Sequence, residues 1–294
     1  MYITELIING LIQGSLYALV AIGFTMVYGI LRLINFAHGD VIMIGAFVTL
    51  GLLQLNLSWP ILAILVLLIG ALVGFTIDRI AFRPMRGAPQ VTGFIASLAL
   101  SLLLQNLGIL IFTAQPRNFF LPEFFRKTVL IASLEVRYLS LVIIFSTIIL
   151  LVLLLLFVKK TRMGIAMRAT AENLQVARLM GIKVNHVIML AFIIGSALAA
   201  FAGMLWGGRF GQIDPLMGFV PGLKAFIAAV IGGVGSIAGA AVGGYLLGFS
   251  EVLFVGLLPS SMSGFRDAFV FGMLIIILLV MPNGIFGTSE EERA

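Results

Sequence analysis

Unbroken apolar stretches set apart by short polar turns dominate the chain, at about 6–30, 38–56, 60–80, 91–113, 139–158, 187–208, 222–257 and 267–282. Several approach or exceed the roughly 20 residues that carry a helix across a hydrocarbon core about 30 Å thick. In lipid every backbone N–H and C=O must be paired internally, which leaves helices or closed barrels. The runs are continuous and do not alternate, so they predict helices. Two stretches depart from a plain span. The one at 38–56 opens on polar residues and predicts an incomplete crossing. The one at 222–257 is too long for a single helix rising about 1.5 Å per residue, and predicts a short re-entrant helix followed by a spanning one. The pattern predicts an all-α polytopic membrane protein of about eight transmembrane helices, forming one transmembrane domain over residues 1–294.

Composition narrows the chemistry. Of 294 residues, 61% are hydrophobic and 10% charged, against about 25% charged in soluble domains. There is no cysteine, which excludes disulfides, thiol catalysis and cysteine metal sites. Two histidines, His38 and His186, lie too far apart in sequence for a His-rich metal site, and neither metal nor cofactor is expected. Residues 1–30 lack a basic leader and a small-residue cleavage signal, so they are read as a retained first helix. The net charge of +6 points to basic cytoplasmic loops and not to nucleic acid.

Those loops set the orientation. Residues 159–186, KKTRMGIAMRATAENLQVARLMGIKVNH, carry Lys159, Lys160, Arg162, Arg168, Arg178 and Lys183 against Glu172 alone. Residues 78–90 carry Arg79, Arg83 and Arg86 against Asp78. Two spans separate these loops, which puts both on one side, and the positive-inside rule makes that side the cytoplasm. The 114–138 loop then lies outside, although Arg117, Arg126, Lys127 and Arg137 outnumber Glu123 and Glu135. The acidic tail, Glu290–Glu292, weighs little in this rule.

Polar residues at membrane depth are costly and generally face protein or a water-filled path. Asn35, His38 and Asp40 sit at the junction of the first two spans. They fit a capped break between helices, with Asn35 or Asp40 as cap, or a break lining a translocation path. A proton relay through His38 and Asp40 would need further buried acids, of which the spans offer little beyond Glu251 and Asp267. Gln105 and Asn106 stand together in an apolar helix, as path residues or as interhelical hydrogen-bonding groups.

Within the 159–186 loop, strong helix formers from Arg168 to Met180 predict a short surface helix stopped by Gly181. Such a helix can lie in a partner's groove. Glycine clusters in IGGVGSIAGAAVGGYLLG, where Gly235, Gly239 and Gly243 form small-residue steps four apart and Gly244 and Gly248 add another. Packing within the chain and a subunit interface both fit this pattern. No phosphate-binding loop, zinc-protease motif or nucleophile elbow is present, so the chain reads as a non-enzyme, and any ATP-driven transport would need a separate ATPase.

At this point the residues resemble a known family. NGLIQGSLYALVAIGFTMVYGILRLINFAHGDVIMIGAF, AFRPMRGAPQ (81–90), RATAENLQVARLMGI (168–182), GGVGSIAGAAVGG (232–244) and MPNGIFG (281–287) follow, in order, the recurrent blocks of branched-chain amino acid ABC-transporter permeases of the LivH type. The resemblance covers essentially the whole chain. It implies an importer in the cell's inner membrane, assembled from two permeases (this chain and a paralogue), two ATP-binding subunits and an extracytoplasmic solute-binding protein. It also implies that 168–182 is the coupling loop. Glu172, Ala177 and Gly181 match that loop's acid, small residue and glycine, Asn173 departs from the common alanine, and Arg168 opens the block. The same scaffold serves urea and short amides. A secondary transporter or channel acting alone is the alternative from outside the family.

Overall fold

The computed structural model describes residues 2–131 and 134–287; the acidic tail Glu290–Glu292 lies outside the described residues. Among them are eleven α-helices, α1 (Tyr2–Leu31), α2 (Ala37–Leu53), α3 (Trp59–Ile77), α4 (Gln90–Phe112), α5 (Tyr138–Lys160), α6 (Arg162–Glu172), α7 (Leu174–Leu179), α8 (Val184–Phe210), α9 (Phe219–Gly232), α10 (Ile237–Leu257) and α11 (Arg266–Val280). Helix α3 runs on through a π-helical turn, Asp78–Phe82. Six helices, counting α3 with that turn, are long and apolar enough to cross a membrane. The chain is an all-α polytopic membrane protein.

Helices α1 and α8 form the centre. The most apolar window of α1 is 83% buried and that of α8 72%, whereas those of α3, α4 and α5 are 28%, 17% and 22% buried. The outer helices expose Leu68, Leu72, Leu110, Ile111 and Leu153, the side chains that lipid tails accept. Aliphatic side chains gain little from each other in lipid, so close backbone approach has to do the packing. A Cβ added at Gly23 would lie 2.7 Å from the carbonyl oxygen of Gly195, and one added at Gly195 2.6 Å from that of Gly23. Gly45 and Gly203 do the same for α2 against α8, and Gly70 and Gly74 for α3 against α8.

Helix direction follows from these contacts. The start of α1 lies by the end of α10, since a Cβ on Gly256 would strike the Leu6 side chain, and Gly29, near the end of α1, lies by Gly235 just before α10. The end of α8 lies by the start of α1, where Arg209 reaches Asn9 at 3.0 Å. We call the face where α1 begins the near face and the opposite one the far face. The near face carries two small antiparallel pairings, β1 (Arg117–Asn118) with β4 (Gln212–Ile213) and β2 (Thr128–Ile131) with β3 (Leu134–Arg137). The far face carries α6, α7 and the turn after α3, where Arg86 joins Asp78 and reaches Asn185 Oδ1 at 2.8 Å.

The two unusual stretches both depart from a single plain helix. The 222–257 run is two helices joined by a turn, α9 of 14 residues and α10 of 21. Helix α2 has 17 residues and begins inside the bundle, because His38 meets the Val20 carbonyl (3.2 Å), roughly 16 Å along α1 from its end at Leu31. Two expectations are corrected. Neither Asn35 nor Asp40 caps α2, whose start has no side-chain cap; the Asn35 carbonyl accepts from the His38 amide instead (3.2 Å). And Arg168–Met180 is not one helix: Asn173 adopts an extended backbone (φ −151°, ψ 110°) and divides it into α6 and α7.

Candidate functional site

The far-face corner is built by Asn173. Its Oδ1 accepts from the backbone amides of Gln175 (2.9 Å) and Val176 (3.0 Å), capping α7. At an N-cap, asparagine is among the best residues and alanine among the poor ones, which gives the departure from the common alanine a physical meaning. Gly181 ends the corner at φ +81°, a left-handed position that costs L-residues other than asparagine or aspartate most. Ala177 is buried and anchors α7. Leu179 and Met180 are 87% and 77% exposed, and Val176 is exposed beside them. Arg168 and Glu172 line a cavity of about 480 Å³ under the corner, with Arg32, Ser236 and Phe286.

The second group of predicted residues is split by the structure. Asp40 Oδ1 accepts from Gln105 Nε2 (3.1 Å), which also reaches Ser101 Oγ (3.1 Å), so these residues form one partly buried tie between α2 and α4. His38 joins neither Asp40 nor this tie; it bonds the Val20 carbonyl and meets Phe24 edge-on. Asn35 is buried, and its Oδ1 has no hydrogen-bond partner among the described residues. Asn106 is exposed and bonds back to the Leu102 carbonyl (2.7 Å), away from Gln105's partners. Adjacent positions on a helix point about 100° apart, so adjacency in sequence could not place both in one cluster.

The glycines also divide. Gly239 and Gly243 pack on Gly232 and Ala228 of α9, while Gly244 and Gly248 pack on the α1 backbone at Ala18 and Gly14. Gly235 stands before α10 in a turn at φ +89°, so the row of steps four apart begins at Gly239.

Glu251 and Asp267 were legible in the sequence as acids of the spans, but Lys224, which brings them into one cluster, was missed. Near-face ends of α1, α8, α9 and α10 enclose a cavity of about 680 Å³. Lys224 and Glu251 are both buried there and pair at 3.0 Å. Tyr17 donates to Glu251 Oε2 at 2.6 Å. Asp267 meets Lys224 at 2.8 Å, and Arg266 Nε meets Glu251 at 3.1 Å. The signal lay in the sequence as a lysine inside an apolar run, whose partners stand 27 and 43 positions further on.

A multi-pass helical body with glycine-packed central helices, a charged cavity entering from one face and an exposed corner on the other defines a membrane permease. The family model described as "branched-chain amino acid transport system / permease component" matches residues 6–279, and the chain belongs to that family. It is 41% identical to the high-affinity branched-chain amino acid transport system permease protein LivH of Salmonella typhimurium, over 100% of this chain and 98% of that protein. Identity to the high-affinity permease protein BraD of Pseudomonas aeruginosa is 40%, over 99% and 98%. The probable LivH permease of Methanocaldococcus jannaschii is 34% identical, over 98% and 94%. No solved structure matches the chain.

Proposed function

We propose that this chain is one transmembrane permease subunit of an ABC importer for branched-chain or related amino acids, a single transmembrane domain in the cell's inner membrane. It pairs with a second, paralogous permease, receives substrate from an extracytoplasmic solute-binding protein at the near face, and is driven by two ATP-binding subunits at the far face. The observation that carries the reading is the α6–α7 corner. It holds exposed Leu179 and Met180 on the face shared with the basic 78–90 turn, in a chain of this family that lacks a nucleotide-binding motif. Apolar side chains held out on a short capped helix fit helix-in-groove docking. Arg168, Glu172, Asn173, Ala177 and Gly181 act in coupling, Glu172 and Arg168 toward the cavity beneath and Asn173, Ala177 and Gly181 by fixing α7.

The eight apolar segments make nine passes in this reading, because 222–257 folds as two and both α2 and α9 complete their passes with non-helical chain. The N-terminus then faces outward and the C-terminus inward. ATP-driven closure of the ATPases moves α6–α7 and rocks the bundle between outward and inward access. Asp40, Gln105, His38 and Asn35 lie along the route where α2 begins, while Asn106 lies off it.

The chain's lack of cysteine makes the test direct. Single cysteines at Arg178 and Arg126 are labelled with a membrane-impermeant maleimide in intact cells. Labelling at Arg126 alone is expected, with Arg178 labelled only after lysis; labelling of Arg178 from outside would sink the proposal.

A further inference from the structure

We infer that the near-face cavity is a binding site for a zwitterionic α-amino acid, in which Lys224 and Arg209 take the carboxylate and Glu251 takes the ammonium group. The inference rests on the importer reading and adds that the permease itself selects substrate.

Three observations carry it. First, the buried Lys224–Glu251 pair lines a cavity of about 680 Å³, so a small molecule can reach it. A pair serving packing alone has no need of that access, and ionisable residues within membrane helices mark substrate routes. Second, the charges balance. Lys224, Arg209 and Arg266 face Glu251, Asp214 and Asp267 in and around the cavity. Opening the buried Lys224–Glu251 contact leaves each with one counter-charge, Asp267 or Arg266, both about half exposed, so each loses its buried partner. A ligand with one charge can replace only one partner, and a neutral amide replaces neither, whereas a zwitterion replaces both and keeps the cavity neutral. Third, one cation is uncommitted. Arg209 has no carboxylate partner among the described residues, its side-chain bond going to Asn9 Oδ1 at 3.0 Å, so its planar fork has donors left for a carboxylate.

The remaining wall supplies the rest of the selectivity. Trp206, Met217, Val220, Val252 and Val255 line the same space, an apolar surface for an aliphatic side chain. Tyr17 and Trp206 lie with ring centres 5.7 Å apart, and Lys224 Nζ lies 5.7 Å from the Tyr17 ring centre. The ring face partly compensates the ammonium of Lys224 while its carboxylate partner is exchanged. The cavity therefore favours an aliphatic amino acid over urea or a short amide.

The test uses the complete complex of this chain, its second permease and both ATPases in nanodiscs, without the binding protein. Saturation-transfer NMR reads weak binding of leucine and its displacement by analogues. Leucine and valine are expected to compete. Leucinamide, which lacks the carboxylate, and 4-methylpentanoate, which lacks the ammonium, are expected to compete about tenfold less well or worse. Because this comparison uses the wild-type chain, it stands even if variants misfold. Lys224→Met and Glu251→Gln are each expected to abolish the leucine signal. Equal competition by the singly charged analogues, or no leucine signal from a complex that still imports leucine, would overturn the inference and leave the importer reading intact. Failure of the complex to import leucine with binding protein and ATP would overturn the importer reading, and this inference with it.

Discussion

Replacing Leu179 by aspartate tests the coupling corner most directly. Leu179 is 87% exposed and buries almost nothing within the chain, so Leu179→Asp leaves insertion and folding unchanged. If α7 docks in an ATPase groove, that side chain is buried there, a gain of about 1.5–3 kcal/mol for a leucine. Aspartate forfeits the gain and adds about 1–3 kcal/mol for a buried polar group without partner. The sum, about 2.5–6 kcal/mol, weakens assembly by roughly sixtyfold to twenty-thousandfold. Co-purification of the ATPases with a tagged permease measures it, with uptake as the second readout and Gln175→Ala, which removes an exposed polar side chain and leaves its capped amide in place, as the control. Undiminished ATPase recovery and uptake in Leu179→Asp would refute docking through α7.

Other outcomes follow from the same geometry. Asn173→Ala removes the cap of α7 and costs about 0.5–2 kcal/mol of local order, seen as faster proteolysis at residues 173–181 with the membrane body intact. Gly181→Val forces a β-branched residue to φ +81° and lowers uptake more than it lowers expression. Gly203→Leu drives a side chain into the α2 backbone at Ile42, where no rotamer relieves the clash, and reduces thermal stability in detergent by more than the about 1–3 kcal/mol typical of overpacking against mobile side chains. Asp78→Asn leaves Arg86 without its charge partner at a largely buried site, and costs up to about 3–5 kcal/mol if the charge stays buried; a thermal-unfolding midpoint equal to wild type would show that Arg86 escapes to solvent.

The helical body was legible because length and continuous apolarity act locally. A run that satisfies its own backbone in lipid has to be a helix wherever it packs. The 168–181 segment was legible as helix-forming chain with a terminal glycine, but its break at Asn173 was not. Residue propensity alone does not distinguish an asparagine within a helix from one capping the next, because asparagine's side chain can bond the following amides only when its own backbone leaves the helix. The polar residues of the spans were found as a list and sorted only by packing: Asp40 and Gln105 meet across two helices, whereas Asn106, one residue on, turns away.

By itself the sequence determined that this chain lives in a membrane as a bundle of helices, with a basic segment between two of them and no phosphate-binding-loop motif. Each of these follows from composition or from spacing within a single segment. Only the tertiary structure decided that α1 and α8 form the centre, that Gly244 and Gly248 meet α1, and that Lys224, Glu251 and Tyr17 share one cavity with Asp267 paired to its lysine. The physical reason is the energy of charge in a low-dielectric interior. A buried lysine is tolerable only beside its counter-charges, and those stand on helices whose approach is set by where the glycines allow two backbones to touch.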